Sequence, residues 1–565
     1  MNLTTGGALF TKLKALGVDY VFANSGTDFP PIIEGLAEAA AKDIDLPEPV
    51  IVPHENAAVN MAIGYYLAAR RAQAVMLHTN VGLANGATAA INAAQDHVPV
   101  LMMSGRTPTT EGGRFGARTV PIGWGQEMRD QVAFVREAVK WDYELRFPEQ
   151  VGGLLDRAHA IANSTPAGPV YMSLPREVLC EPCPAEGLEA PGSMAPARTA
   201  PDPGAIERAA EMLANAERPL VIAQRGVGDP VTFAAFSTFA AEWGIPVCHY
   251  WALRLAVATN HPMCVGSDPM PWVKEADAVL VIDCMAPWWP DKHAPGGDCK
   301  VIHAGPNPLF TRIPVRNFRA DEALTGETGD VINALMAAMQ KHRTGKEESL
   351  AARSKDVAAR TAKIREATLE AASAPPGPGA MTKAWVSRCI SEAVKGRYAS
   401  VLSELGAPLD PMDLTEQHSW FQEPHSGGLG WSVPVALGMQ LADRDRLVLA
   451  TMGDGSYMFA NPTACHQVAE AHELPVILVI TNNAEWKAVT NSVTGMYPQG
   501  YAAKANRMPL TGLAPSPDFT LTAAASRAHV EKVENGEDLP AALAKAVEIA
   551  TTEKRHCLLD VAVVD

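Results

Sequence analysis

The stretch LATMGDGSYMF, residues 449–459, decides how the last third of this chain folds. Its apolar start is typical of a buried β-strand, and Gly453, Asp454 and Gly455 follow where that strand would leave the core. A tight turn would explain the glycines, and a helix cap would explain the aspartate. A second polar pair, further along the chain, favours a binding site instead.

This second pair is Asn482–Asn483, which follows a segment with the pattern of a helix and then an apolar strand. Asp454 and Asn483 are therefore predicted at the carboxyl ends of two parallel strands joined by a helix, at the edge where α/β sheets bind ligands. A carboxylate, an amide oxygen and a main-chain carbonyl suit Mg²⁺, which completes its coordination with phosphate oxygens and water. The glycines let the backbone approach a diphosphate, whose charge a helix N-terminus would stabilise.

Short apolar runs alternate with helix-length segments along the 565 residues, which predicts an α/β fold with three doubly wound parallel-sheet domains. Residues 184–203, rich in Pro, Gly and Ala, predict a linker. Residues 341–380 predict a second linker region, which begins with a charged helical stretch. The expected domains are therefore residues 1–183, 204–340 and 381–565.

The composition favours a cytoplasmic protein that binds small molecules. Lys and Arg total 47 against 63 Asp and Glu, a net charge of −16 that argues against nucleic-acid binding. The sequence has no apolar run long enough for a membrane span and no pattern of a secretory signal. Nine scattered cysteines do not resemble a disulfide framework, and the close pair Cys180 and Cys183 lacks the second ligand pair of a zinc site.

The Gly-Asp-Gly sequence and the Asn pair together resemble the signature of thiamin diphosphate-dependent enzymes of the pyruvate oxidase, acetolactate synthase and benzoylformate decarboxylase family. The resemblance covers essentially the whole chain and implies, in order, a pyrimidine-binding, a central and a diphosphate-binding domain. It implies that Mg²⁺ is held by Asp454, Asn483 and the main-chain carbonyl of Glu485. The implied contacts of the diphosphate are Gly406, Gly453, Gly455, Ser456 and, through the metal, Asn483.

The resemblance also identifies the residues expected around the organic part of the cofactor. Glu55 opens a predicted helix, where a carboxylate would complement the helix dipole, but its context HENAAVN resembles that of the family's catalytic glutamate, which shares a proton with the aminopyrimidine ring. HSGGLGWSVP resembles the segment that bends the cofactor, with Leu429 between the two rings and the Gly427 carbonyl accepting from the pyrimidine amino group. In that family the glutamate and the metal site come from different subunits, which implies a homodimer or homotetramer with active sites at the subunit interface.

Two further stretches resemble benzoylformate decarboxylase and favour a 2-oxo acid as substrate. VFANSGTDFP would place the Thr27 hydroxyl near the substrate, and LHTNVGLANG would place His78 in the site as a proton donor. The sequence departs from that decarboxylase at Trp486 and Lys487, which puts an aromatic substrate in doubt. His293, in the central region, is an unaligned candidate for a second active-site histidine.

Other members of the family leave alternatives to a decarboxylase with carboligase capability. One is a carboligase like acetolactate synthase, although QRGVGDP gives only an incomplete nucleotide fingerprint, so FAD is not expected but not excluded. Another is a 2-hydroxyacyl-CoA lyase or a relative of oxalyl-CoA decarboxylase. A non-catalytic regulatory relative is the remaining alternative, and Glu55 together with the metal ligands argues against it.

Overall fold

The computed structural model describes residues 4–375 and 377–565 and contains three separate parallel sheets. Residues 1–3, at the start of the first expected domain, and residue 376, in the second expected linker region, lie outside the described residues. The three sheets and the helices that cover them confirm the predicted α/β class. Among the described residues, none of the helices combines the length and apolar character needed to cross a lipid bilayer.

The first sheet is built from six short strands. These are β1 (Tyr20–Ala23), β2 (Glu48–Ile51), β3 (Gln73–Leu77), β4 (Val100–Arg106), β5 (Asp142–Glu144) and β6 (Val170–Pro175). The helices of this part are α1 (Thr5–Ala15), α2 (Pro30–Ala41), α3 (Glu55–Ala69), α4 (Thr79–Gln95), α5 (Ile122–Gly125), α6 (Val151–Asn163) and α7 (Arg176–Cys180). The strands pair in parallel in the order β2-β1-β3-β4-β6-β5.

The second sheet has five strands in the parallel order β11-β10-β9-β7-β8. Their bounds are β7 (Pro219–Ala223), β8 (Val247–Cys248), β9 (Ala278–Ile282), β10 (Lys300–Gly305) and β11 (Glu322–Thr325). The helices of this part are α8 (Pro203–Asn215), α9 (Pro230–Trp243), α10 (Met270–Val273), α11 (Pro290–His293) and α12 (Thr328–Gln340). The charged stretch that follows forms one long helix, α13 (Glu347–Ala371), as its composition predicts.

The third sheet again has six strands. They are β12 (Ala399–Glu404), β13 (Trp420–Gln422), β14 (Leu447–Gly453), β15 (Ile477–Asn482), β16 (His529–Val533) and β17 (Cys557–Ala562). The helices are α14 (Lys383–Val394), α15 (Ser432–Ala442), α16 (Asp454–Phe459), α17 (Pro462–Ala471), α18 (Lys487–Met496), α19 (Tyr501–Lys504), α20 (Phe519–Ala524) and α21 (Leu539–Thr552). The strands pair in parallel in the order β13-β12-β14-β15-β17-β16.

The first and third sheets share one topology, because both follow the order second-first-third-fourth-sixth-fifth strand. In such a sheet the strand order reverses between the first and third strands, and the crevice at their carboxyl ends is where ligands bind. In the first sheet this switch point lies between β1 and β3, which end at Ala23 and Leu77. In the third sheet it lies between β12 and β14, which end at Glu404 and Gly453. The first and third sheets therefore offer two equivalent ligand-binding edges, and the central sheet has a further switch point between β7 and β9.

The domains that contain the first and third sheets are joined through a close contact between α3 and α15. A Cβ on Gly64 would lie 2.0 Å from the Val435 carbonyl oxygen, and a Cβ on Gly438 would lie 2.0 Å from that of Met61. Almost every residue of both helices is buried, and a continuous apolar cluster runs across the contact. The glycines thus allow two backbones to touch and fix the first domain against the third.

Candidate functional site

Asp454 lies where the sequence predicts it, directly after β14, as the first residue of α16. Its side chain is 3% exposed, and Oδ1 accepts a hydrogen bond from the Gly455 N–H at 2.9 Å. Oδ2 has no hydrogen-bond partner among the described residues. Burial raises the pKa of Asp454, and the nearby Lys383 ammonium opposes that rise. A buried, unpartnered carboxylate oxygen is costly, so this residue fits a site completed by a cation.

The other two predicted metal ligands lie on the loop after β15. Asn483 Oδ1 accepts from the Glu485 N–H at 3.1 Å, and its Nδ2 donates to the Asp565 carbonyl at 3.2 Å. The Glu485 carbonyl accepts from the Lys487 N–H at 2.9 Å. Each of these oxygens has two lone pairs, so one remains for a metal ion. The hard-oxygen donor set therefore fits Mg²⁺.

The predicted diphosphate contacts lie around the same edge. A Cβ on Gly406 would lie 2.5 Å from the Thr451 backbone, and one on Gly455 would lie 2.2 Å from the Trp486 ring. Gly453 is the residue before α16, and Ser456 is buried in its first turn. Gly406 and Gly455 are thus required by close packing against Thr451 and Trp486. The fit to the cofactor rests on the hard-oxygen donors and on the unpartnered Asp454 oxygen among the described residues, and the diphosphate contacts stay a prediction.

The segment with Gly427 and Leu429 is held by two sets of contacts. The buried Glu404 accepts from the N–H groups of the three residues after Leu429, at 2.6, 2.9 and 2.6 Å. Burial raises the pKa of Glu404 to about 7 despite these three donors. From the first domain, Asn92 donates to the Gly428 carbonyl at 2.9 Å and accepts from Ser426 Oγ at 2.7 Å. Leu429 is half-buried, and its position is therefore fixed from both domains.

Glu55 opens α3 and is buried against the neighbouring helix α4. Its Oε2 accepts from Asn85 Nδ2 at 3.0 Å, and a Cβ on Gly82 would lie 3.0 Å from its Oε1. Because Asn92 lies further along the same helix, α4 connects the surroundings of Glu55 to the Leu429 segment. The family resemblance implies that Glu55 and the Leu429 segment of one active site come from two different subunits. In the structure they meet within one chain, and the subunit arrangement stays a prediction.

His78 directly follows β3, at the start of α4, and forms a tight pair with Asp28, which lies in the loop after β1. The distance from His78 Nδ1 to Asp28 Oδ1 is 2.5 Å, and Asp28 Oδ2 also accepts from the Thr79 N–H at 3.3 Å. The hydrogen bond from Asp28 raises the pKa of His78, with burial opposing it and the Asp28 and Glu55 charges reinforcing it. His78 Nε2 lies 3.0 Å from Gln126 Nε2, and the ring is 19% exposed. Because an amide nitrogen can only donate, His78 Nε2 accepts from Gln126 while Nδ1 holds the proton shared with Asp28. Nε2 can take up a second proton only when the Gln126 amide turns away.

The remaining predicted residues have simpler surroundings. Thr27 is exposed beside Asp28, and its carbonyl accepts from Arg176 Nη1 at 3.2 Å. His293 ends α11 in the central domain, where its Nδ1 accepts from the Trp289 N–H at 3.4 Å and its ring packs edge-on against Tyr250. Nothing in these contacts links His293 to the His78 edge. Residues 4–375 and 377–565 contain no group of three or more His, Cys, Asp or Glu side chains arranged to bind a metal ion.

Sequence reasoning missed Asp28, Gln126, Asn92 and Glu404. Asp28 had a usable signal, because an acidic residue after the first strand and a histidine after the third must meet at the switch point. The other three act through contacts between segments far apart in the chain, and no local pattern marks them.

The comparisons with known proteins agree with this geometry. Three family models of thiamine pyrophosphate enzymes match the chain. The model described as "Thiamine pyrophosphate enzyme, N-terminal TPP binding domain" matches residues 3–134. The models of the central domain and of the C-terminal TPP binding domain match residues 206–335 and 407–561. The chain belongs to the thiamin diphosphate-dependent enzymes.

Curated relatives span nearly the whole chain at low identity. The probable 2-ketoarginine decarboxylase of Pseudomonas aeruginosa is 26% identical over 95% of this chain and 91% of its own length. The sulfoacetaldehyde acetyltransferase of Alcaligenes xylosoxydans xylosoxydans is 25% identical over 99% of this chain and 93% of its own. The crystal structure of benzoylformate decarboxylase from Polynucleobacter necessarius superposes with a TM-score of 0.77 at 21% identity, covering 100% of this chain and 99% of that one. The fold is thus shared with both decarboxylating and acyl-transferring relatives.

Proposed function

We propose that this protein is a Mg²⁺- and thiamin diphosphate-dependent decarboxylase of a 2-oxo acid, with carboligase capability. The observation that carries this proposal is the pair of Asp28 and His78 at the switch point of the first sheet, with the exposed Thr27 next to Asp28 in the chain. An imidazolium there can donate a proton to a substrate carbon, which is what release of an aldehyde requires.

In the proposed enzyme the metal is held by Asp454, Asn483 and the Glu485 carbonyl, which anchor the cofactor through its diphosphate. When bound, thiamin diphosphate supplies a nucleophilic carbon and an electron sink for the loss of carbon dioxide. Glu55, buried against α4, would hydrogen-bond the aminopyrimidine ring and share a proton with it, and Leu429 would contact the organic part of the cofactor. These roles rest on the family membership together with the burial and contacts of each side chain.

The protein's own residues then decide what happens to the substrate. Thr27 is exposed, and in the proposed enzyme its hydroxyl hydrogen-bonds the substrate carboxylate. His78 keeps one proton on Nδ1 through Asp28, and the imidazolium carries a second proton on Nε2, which it donates to the substrate. This requires the Gln126 amide, which donates to Nε2 in the structure, to turn away first. If His78 protonates the reacting carbon, an aldehyde leaves. If a second carbonyl compound arrives first, ligation occurs.

A screen of 2-oxo acids tests the proposal. Carbon dioxide release is measured with Mg²⁺ and thiamin diphosphate, with and without an aldehyde acceptor, in the parent chain and in Glu55→Gln. We expect turnover of at least one 2-oxo acid and a loss of about 10²–10⁴-fold in Glu55→Gln. Turnover that requires an acceptor for every acid tested would instead support an obligate carboligase, the alternative that the acetyltransferase relative favours.

The variant His78→Ala tests whether His78 decides between aldehyde release and ligation to a second carbonyl compound. This variant should bind cofactor like the parent, slow aldehyde release, and raise the ratio of ligation to release, because the proton donor is gone. Aldehyde release at the parent rate from the best 2-oxo acid would show that His78 is structural, and the decarboxylase proposal would lose its main support.

A further inference from the structure

Lys383 crosses the edge of the third sheet where the cofactor is proposed to bind. It is the first residue of α14, and its Nζ donates to the Leu405 carbonyl at 2.8 Å. Its own backbone N–H donates to Asp565 Oδ1 at 2.8 Å. The residue is therefore anchored at one end by its backbone and at the other by its ammonium group.

The two anchors of Lys383 lie beside the two halves of the proposed metal–diphosphate site. Asp565 also accepts, through its carbonyl, from the side-chain amide of Asn483, the proposed metal ligand. Leu405 lies directly before Gly406 and forms a β-bridge with Met452, two residues before Asp454. Lys383 is thus linked through Asp565 to Asn483, and through Leu405 to Met452 near the end of β14.

The negative charge at this edge would be offset by the ammonium group of Lys383. A thiamin diphosphate carries more negative charge on its phosphates than one Mg²⁺ neutralises, and the edge already contains the buried Asp454, whose Oδ2 has no partner among the described residues. Asp565 adds further negative charge. A nearby cation is needed to offset the repulsion of like charges, and ammonium groups bind phosphates well as point charges.

We propose that Lys383 is a cofactor-binding residue, whose ammonium group leaves the Leu405 carbonyl and pairs with the diphosphate of thiamin diphosphate. The exchange replaces a hydrogen bond to a neutral carbonyl with one to an anion, which is the stronger interaction. The inference rests on the proposed function of this edge, and it concerns binding of the cofactor rather than the chemistry on the substrate.

The test is equilibrium dialysis of thiamin diphosphate and of thiamin at fixed Mg²⁺, with the apoprotein, Lys383→Met and Lys383→Arg. The control is Lys395→Met, at the exposed C-terminal end of the same helix, where Lys395 pairs with Glu392 at 3.3 Å. Lys383→Met should weaken diphosphate binding by about 10–100-fold, the usual worth of a hydrogen bond to a charged group. Thiamin binding should stay unchanged, and Lys383→Arg should retain most of the affinity. Far-ultraviolet circular dichroism checks that each variant is folded.

The results separate this inference from the proposed function. Parent-like diphosphate affinity in a folded Lys383→Met variant overturns the role of Lys383 alone. Equal weakening of thiamin and thiamin diphosphate overturns it as well, because the loss would then be structural. A parent chain that does not bind thiamin diphosphate with Mg²⁺ overturns the proposed function and the role of Lys383 together.

Discussion

At the scale of single residues, the site is defined by buried polar groups whose partners are incomplete. Asp454 has one carboxylate oxygen without a partner, whereas Asp28 has both of its oxygens engaged. The arrangement around Asp454 is suited to binding a cation, whereas the arrangement around Asp28 fixes the position of the His78 side chain. The sequence predicted Asp454 because its neighbours follow a recognisable spacing, but the role of Asp28 depends on a contact with His78, which follows another strand.

Asp454→Ala should abolish Mg²⁺-dependent binding of thiamin diphosphate with little change in fold. The apoprotein should melt at the same or a slightly higher temperature, because the variant removes a buried carboxylate that lacks a partner. Gel filtration with cofactor analysis and thermal melting without cofactor provide the two measurements. Stoichiometric cofactor retained by this variant after chelator treatment would refute the metal assignment.

Asp28→Asn should change the pH dependence of aldehyde release. Asp28 raises the pKa of His78, so the imidazolium persists to higher pH than in a free histidine and is lost as pH rises through that raised value. Asparagine keeps a hydrogen bond but removes the charge. The alkaline limb of the rate should therefore move to lower pH. An unchanged alkaline limb would mean that a group other than His78 sets it.

At the scale of elements, the sequence predicts interior strands well and edge strands poorly. The apolar runs of β3, β4, β14 and β15 are buried on both faces and read as continuous hydrophobic segments. Four strands lack an apolar run in the sequence: β5, β11, β13 and β16. Each of them is the outermost strand of its sheet and therefore pairs with one neighbour only. Such short strands are stabilised by the sheet they join rather than by their own composition.

The contact between α3 and α15 gives a prediction that opposes ordinary helix propensity. Gly64→Ala would favour an isolated helix by about 1 kcal/mol. Here the added Cβ meets the Val435 carbonyl, so we expect a loss of about 1–3 kcal/mol and a lower melting temperature. The control is Gly153→Ala in α6, where nothing lies within 4 Å of the added Cβ and a small gain is expected. A Gly64→Ala melting temperature at or above the parent value would contradict a close contact between these helices.

At the scale of the whole molecule, the first and third domains share one topology and are in contact. The family resemblance, drawn from short motifs, predicted the fold class, and the division of the site between these domains stays a prediction. What it could not give was how the halves are held together, because the contacts of Asn92 with the Leu429 segment, and of α3 with α15, join residues hundreds of positions apart. Only the folded chain brings them together.

A mixing experiment tests whether the Glu55 part and the Asp454 part of one active site come from the same chain or from two chains. The contact between α3 and α15 can be made within one chain or exchanged between two copies. The proposed homodimer with shared sites predicts that Glu55→Gln and Asp454→Ala, each inactive alone, regain up to about a quarter of parent activity after co-refolding, because half of the sites in each mixed dimer are intact. Mixed samples that stay inactive while forming mixed dimers would place both halves in a single chain.

The position of Trp486 against Gly455 makes the site optically readable. Because the indole ring lies within contact distance of the backbone that a diphosphate would approach, cofactor binding must change the polarity around that ring. Its emission should therefore shift or quench on addition of Mg²⁺ and thiamin diphosphate. The chain has 11 tryptophans, so the signal is the difference between the parent and Trp486→Phe. The protein thus has an intrinsic fluorophore at its proposed binding edge, and occupancy can be followed in real time without a label or a known substrate.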